Sequence, residues 1–179
     1  MWLKGYLDAL NSALMPAAGS TPAAPAAASL PAGRPVVILW GSQTGNSEAL
    51  GKKLAKRLAA KGHSPTLRDM AEVAPADLTA AENVLIITST YGDGEPPDNA
   101  AALHTALHAA DAPALTSVNF AVLALGDSNY PDFCKCGRDF DSRLTSLGAK
   151  PLVPIVECDV EWDEPFARWI SQLEQTLAA

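Results

Sequence analysis

A doubly wound α/β fold built on a five-stranded parallel sheet is what this sequence predicts, and two features predict it. The first is a set of short, unbroken apolar runs, Val36-Val37-Ile38-Leu39 and Val84-Leu85-Ile86-Ile87 among them, which read as strands buried on both faces. The second is the alternation of such runs with stretches of helical period, which supply right-handed crossovers between parallel neighbours. At 179 residues, 48% of them apolar, the chain is long enough for one such domain plus a tail and too short for two.

Taken in order, residues 1–14 place Leu3, Leu7, Leu10 and Leu14 at helical steps with Trp2 and Tyr6 beside them, a short amphipathic helix that is marginal alone and needs a surface to dock on. Residues 15–35 are rich in Ala and Pro; Pro16, Pro22, Pro25, Pro31 and Pro35 forbid a continuous helix and leave a partly extended linker. The domain proper is expected over 36–179. Strands are expected at 36–40, 66–69, 84–88, 118–125 and 152–156, and helices at 48–61, 99–110, 139–147 and 165–177.

Composition excludes several functions. No apolar run approaches the roughly 18 to 20 residues that span a bilayer. The N-terminus has Asp8 within its apolar stretch and lacks a basic leader region and a clear cleavage site, so it is expected to be retained and the protein to be cytoplasmic. Net charge is −7 and uneven: residues 1–68 carry eight Lys/Arg against Asp8 and Glu48, whereas residues 69–179 carry five against eighteen acids. So acidic a chain is a poor nucleic-acid ligand and a good partner for a basic protein surface. Cys134, Cys136 and Cys158 lack the Cys-x-x-Cys spacing of a redox pair or zinc knuckle and read as reduced thiols. His104 and His108 lie four apart on a helix, but no Glu follows His104 as a zinc protease requires, so a solvated helix face is the plainer reading.

In a doubly wound sheet ligands sit beyond the carboxyl ends of the strands, where strand order reverses. The loops after strands one, three and four therefore carry the chemistry. After strand one, Gly41-Ser42-Gln43-Thr44-Gly45-Asn46-Ser47-Glu48 runs into a helix whose first amides are unpaired and lie at the positive end of its dipole. Ser42, Thr44 and Ser47 add hydroxyls, and Gly45 lets the backbone close round an anion. No Lys or Arg occurs between Arg34 and Lys52, so neutral donors would hold it. Asn46 stands where a Walker A loop has Lys, and Gly-x-Gly-x-x-Gly is absent, which counts against ATP and NAD. An ordinary capped turn is the plain alternative.

After strand three, Ser89-Thr90-Tyr91-Gly92-Asp93-Gly94-Glu95-Pro96-Pro97 sets one aromatic before two glycines able to take positive φ. After strand four, Leu125-Gly126-Asp127-Ser128-Asn129-Tyr130-Pro131-Asp132-Phe133-Cys134 offers a second aromatic at the same edge. Two tyrosines can sandwich a flat ring system, and with the phosphate cradle they define a ligand of FMN's shape.

These loops resemble those of the flavodoxin-like FMN domains of diflavin reductases, over residues 36–177. Within that group the pattern Phe120 to Leu125, Gly126-Asp127-Ser128, Phe133-Cys134 and Gly137-Arg138-Asp139-Phe140-Asp141-Ser142 is most similar to the flavoprotein (alpha) subunit of NADPH-dependent sulfite reductase. Trp2, Gly5, Tyr6 and Leu10 before an Ala/Pro linker look like the segment preceding its FMN domain. Tyr91 departs from the Gln expected in the enterobacterial form.

The resemblance implies a flavodoxin-like sheet of order 2-1-3-4-5 with helices on both faces. It implies FMN phosphate binding by Ser42, Gln43, Thr44, Gly45, Asn46 and Ser47, and flanking of the isoalloxazine by Tyr91 and Tyr130. Asn129 would line the ring pocket and the Gly92 peptide would face N5, with Ser89, Thr90, Gly94, Leu125, Gly126, Asp127, Phe133, Cys134 and Asp159 completing the site. Asp93, Glu95, Asp127 and Asp159 would set negative charge near the ring. No catalytic side chain and no metal are expected.

The implied role is to relay electrons from an FAD/NADPH-binding reductase domain or subunit to an acceptor redox protein, foremost a sirohaem sulfite reductase subunit. A complete alpha subunit continues into FAD- and NADPH-binding domains, so these residues are not expected to oxidise NADPH unaided. A stand-alone flavodoxin-type carrier, and a flavin-free interaction module of the same fold, remain as alternatives.

Overall fold

The computed structural model describes residues 33–178; the expected helix at 1–14 and the linker up to residue 32 lie outside the described residues. Strand β1 (Pro35–Gly41) leads into helix α1 (Asn46–Ala60), edge strand β2 (Ser64–Asp69), a single 3₁₀ turn and the short helix α2 (Pro75–Leu78). Next come β3 (Asn83–Ser89), α3 (Asp98–His108), β4 (Asn119–Leu125) and α4 (Lys135–Ser146). The short strands β5 (Lys150–Pro151) and β6 (Val156–Cys158) precede α5 (Asp163–Leu177). Every pairing is parallel, and the order is β2-β1-β3-β4-β5, with β6 also on β4. This is the flavodoxin-like arrangement the sequence implies.

The sheet is buried on both faces because side chains alternate along each strand. Ile38, Leu85, Ile87, Ala121 and Leu123 pack with Leu50, Leu54 and Leu58 of α1 and Phe166, Trp169 and Leu173 of α5. The intervening Leu39, Val84, Ile86, Phe120 and Val122 pack with Leu103 and Leu107 of α3 and Phe140 and Leu144 of α4. Because α1 and α5 share a face, their N-termini emerge side by side at the carboxyl edge of the sheet.

Two of the differences from expectation bear on the site. Helix α4 begins at Lys135 rather than 139, because Cys134 takes a left-handed conformation (φ 55°) and starts it without any side-chain cap. A non-glycine residue in that region carries no sequence signal. The strand expected at 152–156 is split instead: Phe120 lies opposite Pro151 and Leu123 opposite Val156, so the two residues 121–122 of β4 face the four residues 152–155. Pro154 has no amide to donate to a ladder, which favours a bulge at this edge. Pairing resumes at β6, where Gly126 N donates to Cys158 O (2.9 Å), and so the following loop reaches the carboxyl edge.

Among the described residues no helix is long and apolar enough to cross a membrane. Leu54 is fully buried between α1 and the sheet. Leu54→Ala should therefore cost about 2–5 kcal/mol, read as a lower urea midpoint at unchanged m-value.

Candidate functional site

At the carboxyl edge of the sheet the loops after β1, β3, β4 and β6 enclose a cleft of about 590 Å³. It is lined by Thr44 and Asn46 from the first loop, and by Ser89, Thr90, Tyr91 and Gly92 from the second. The third loop contributes Leu125, Gly126, Asp127, Tyr130, Asp132, Phe133 and Cys134, and the fourth Val160 and Trp162. Of the residues expected in the site, Ser42, Gln43, Gly45, Ser47, Gly94, Asn129 and Asp159 are not part of this lining. Asp132, Val160 and Trp162 were not anticipated.

Gly45 opens α1 with φ 86°, a left-handed conformation that glycine adopts without steric cost. The first intrahelical bond is Ala49 N to Gly45 O (3.0 Å), and α1 has no side-chain cap, which leaves its first-turn amides to a ligand or water. Ser42 and Gln43 brace this loop: Ser42 Oγ accepts from Gly45 N (3.0 Å), and Asn99 Oδ1 accepts from Ser42 N (2.9 Å). Asn99 Nδ2 donates in turn to Trp40 O and Asp69 Oδ1, while Gln43 exchanges two hydrogen bonds with Asp98. Asp98 and Asn99 thus tie the start of α3 to the loop, a support with no motif to announce it.

Ser47 Oγ is fully buried and has no hydrogen-bond partner among the described residues. Leaving a hydroxyl so placed unpaired costs on the order of 1–3 kcal/mol, which an anion's acceptor oxygens would recover.

The second loop is a tight turn in which Tyr91 N donates to Glu95 O (2.9 Å) and Glu95 N to Tyr91 O (2.8 Å), with positive φ at Gly92 (53°) and Gly94 (102°). Thr90 Oγ1 accepts from Cys136 N (3.2 Å), joining this loop to the first turn of α4. In the third loop Asp127 Oδ1 accepts from both the backbone N and Nδ2 of Asn129, so the Asn129 amide folds onto its own turn. Asp159 is a brace as well. Its carboxylate accepts from Ser128 N, Ser128 Oγ and Val160 N, tying the Tyr130 loop to the Val160 loop. The Ser128 bonds hold the Asp159 carboxyl below its ordinary value. A depressed carboxylate pKa means the brace is intact above the ordinary value of 3.8 and is lost only as pH falls through the lowered one.

The large hydrophobic residues exposed among the described residues are Tyr91 (54%), Tyr130 (60%) and Val160 (56%), and all three face this cleft. An exposed apolar rim beside a neutral donor cradle makes this a site for a flat ring system carrying an anionic tail.

Comparison with known proteins gives the class its name. The flavodoxin family model matches residues 38–169. A flavodoxin from Streptococcus pneumonia superposes with a TM-score of 0.68 at 31% identity, over 80% of this chain and 94% of that one. A cysteine variant of the Pseudomonas aeruginosa flavodoxin gives 0.70 at 29% identity, over 81% and 99%. Two curated relatives are sulfite reductase [NADPH] flavoprotein alpha-components. That of Bacillus subtilis is 46% identical over 95% of this chain and 28% of its own length, and that of a Shewanella species 44% over 94% and 27%. The chain thus spans just over a quarter of the curated relatives it matches. It belongs to the flavodoxin family, whose cofactor is FMN. The unpaired α1 amides, the orphaned Ser47 hydroxyl and the exposed tyrosines fit that group.

Of the other candidate residues, His108 stays exposed, whereas His104 and the three cysteines are partly or fully buried. His104 stacks on His108 (ring centroids 4.3 Å apart) and meets Phe140 edge-on (5.3 Å) between α3 and α4. All three cysteines are buried, and loss of hydration pushes the Cys134 thiol up to about 12 and those of Cys136 and Cys158 up to about 11. Native protein at pH 8 should therefore react with a charged aromatic disulfide reagent only as fast as it unfolds, and all three thiols should react at once in denaturant.

Proposed function

We propose that this chain is the FMN domain of an electron relay, fed by an FAD/NADPH-binding reductase module and discharging to an acceptor redox protein, in the first place a sirohaem sulfite reductase subunit. The reading rests above all on one observation: Tyr91, Tyr130 and Val160 gather on a single cleft whose lining also includes Thr44 and Asn46 of the cradle. The curated relatives, sulfite reductase [NADPH] flavoprotein alpha-components, favour a relay that draws on NADPH and serves sulfite reduction. A cytoplasmic setting follows from the same reading.

Bound FMN supplies the capacity to take up electrons as pairs and release them singly. The residues supply the rest. The amides of Asn46, Ser47 and Glu48, with the hydroxyls of Thr44 and Ser47, hold the phosphate. Tyr91 and Tyr130 flank the ring and keep water from its faces. Gly92 takes its positive φ without steric cost, and rotation of the 92–93 peptide, whose N–H donates to Glu95 Oε2 (3.0 Å), would offer either its carbonyl or its amide to the ring edge. Asp93, Glu95, Asp127 and Asp159 set a negative potential there, which makes addition of negative charge to the ring harder.

Glu161, Asp163 and Glu164 are exposed beyond the same edge, whereas Glu157 is partly neutralised by Arg138 (3.4 Å). These acids steer a basic partner surface towards the cleft. Electron-transfer rates to a basic acceptor should consequently fall as salt rises from 50 to about 300 mM, since the Debye length shrinks well below 10 Å. A rate indifferent to salt would remove the steering role.

Mixed with excess FMN, the folded chain should quench the flavin's fluorescence and retain it through gel filtration. Tyr130→Ala should raise the FMN dissociation constant about ten- to a hundredfold, the equivalent of roughly 1.5–3 kcal/mol of lost ring burial. Failure of the unaltered chain to retain FMN would refute the reading.

A further inference from the structure

The fourth wall of the cleft is formed by the loop between β6 and α5, and the aromatic in that loop is Trp162. This residue is half-buried at the N-terminal boundary of α5 and packs against the core shared by α1 and α5. It lines the cleft together with Thr44 and Asn46 of the cradle. Among the described residues its indole nitrogen donates to no protein acceptor.

The cleft lining includes no Lys, Arg or His, yet two of its members, Asp127 and Asp132, are acids. A phosphate dianion held there depends on neutral donors, and each good one matters more than it would beside a cation. An indole N–H is a donor with no acceptor capacity, so it can pair with a phosphate oxygen whatever that group's protonation.

We propose that Trp162 is a cofactor-binding residue whose indole N–H donates to the FMN phosphate, and that it thereby sets the preference for phosphorylated over unphosphorylated flavin. The β6–α5 loop is held for this task by the Asp159–Ser128 brace and by the bulge that brings β6 to the carboxyl edge. The inference rests on FMN occupying this cleft as proposed above.

The test compares FMN with riboflavin, which lacks the phosphate, on the unaltered chain and on Trp162→Phe, which keeps a ring against the core and removes the N–H. The variant should bind FMN about ten- to a hundredfold more weakly, as expected for one hydrogen bond to a charged group, while its riboflavin affinity stays within about twofold. A second readout needs no variant: in ¹⁵N-labelled unaltered protein, one indole N–H signal should move downfield with FMN and stay in place with riboflavin.

Equal weakening for both flavins, or unchanged FMN affinity in Trp162→Phe, would overturn the role given to Trp162, as would indole signals that respond alike to the two ligands. Unaltered protein that binds neither flavin would instead sink the FMN reading itself, so the two failures are distinguishable.

Discussion

The ligand end of this molecule is organised around the unpaired amides at the start of α1. A helix begun by a left-handed glycine, with no side chain to cap it, carries a partial positive charge that must be met from outside. The fold makes that demand sharper by burying the Ser47 hydroxyl without a partner at the same point. In a loop with no cation, an anion held by neutral donors is the arrangement that satisfies both. The braces around it follow from the same need. Asn99 and Asp98 on α3 hold the backbone of Ser42 and the side chain of Gln43, and so fix the shape of the cradle.

The second requirement is that four loops from one sheet edge meet at one place. Parallel pairing from β2 to β6 fixes where each strand ends, and the split at the last edge position is part of that placement. Two extra residues between β5 and β6 let a strand that starts far back finish level with β4. Cys158 is then hydrogen-bonded to Gly126, and Asp159, Val160 and Trp162 are delivered to the cleft. Neighbouring loops cross-link there: Thr90 to Cys136, Ser128 to Asp159. Two tyrosines left more than half exposed at one cleft form a face that a flat partner would cover.

Much of this was legible in the residues. The sheet could be read because doubly buried strands such as 84–88 are unbroken apolar runs, and the first three loops because hydroxyls, glycines and single tyrosines cluster where strands end. What escaped reading depends on tertiary geometry. The left-handed Cys134 that starts α4 early has no local signature, and the bulge at 152–155 looks like one continuous strand. Asn129 and Asp159 lie in the expected loops, but their side chains make surface braces within and between loops rather than lining the cleft, through a partner about thirty residues away in the case of Asp159. Trp162 lies between the acids Glu161 and Asp163, with no motif around it. A tryptophan just after the last strand, at the same edge as the two tyrosines, was the available signal.

The most direct test of the account is a crystal structure of the chain grown with FMN. The account places the phosphate within hydrogen-bonding distance of the amides of residues 46–48 and of Ser47 Oγ, with the isoalloxazine between Tyr91 and Tyr130. A flavin whose phosphate lies away from the start of α1, or whose ring touches neither tyrosine, would contradict it.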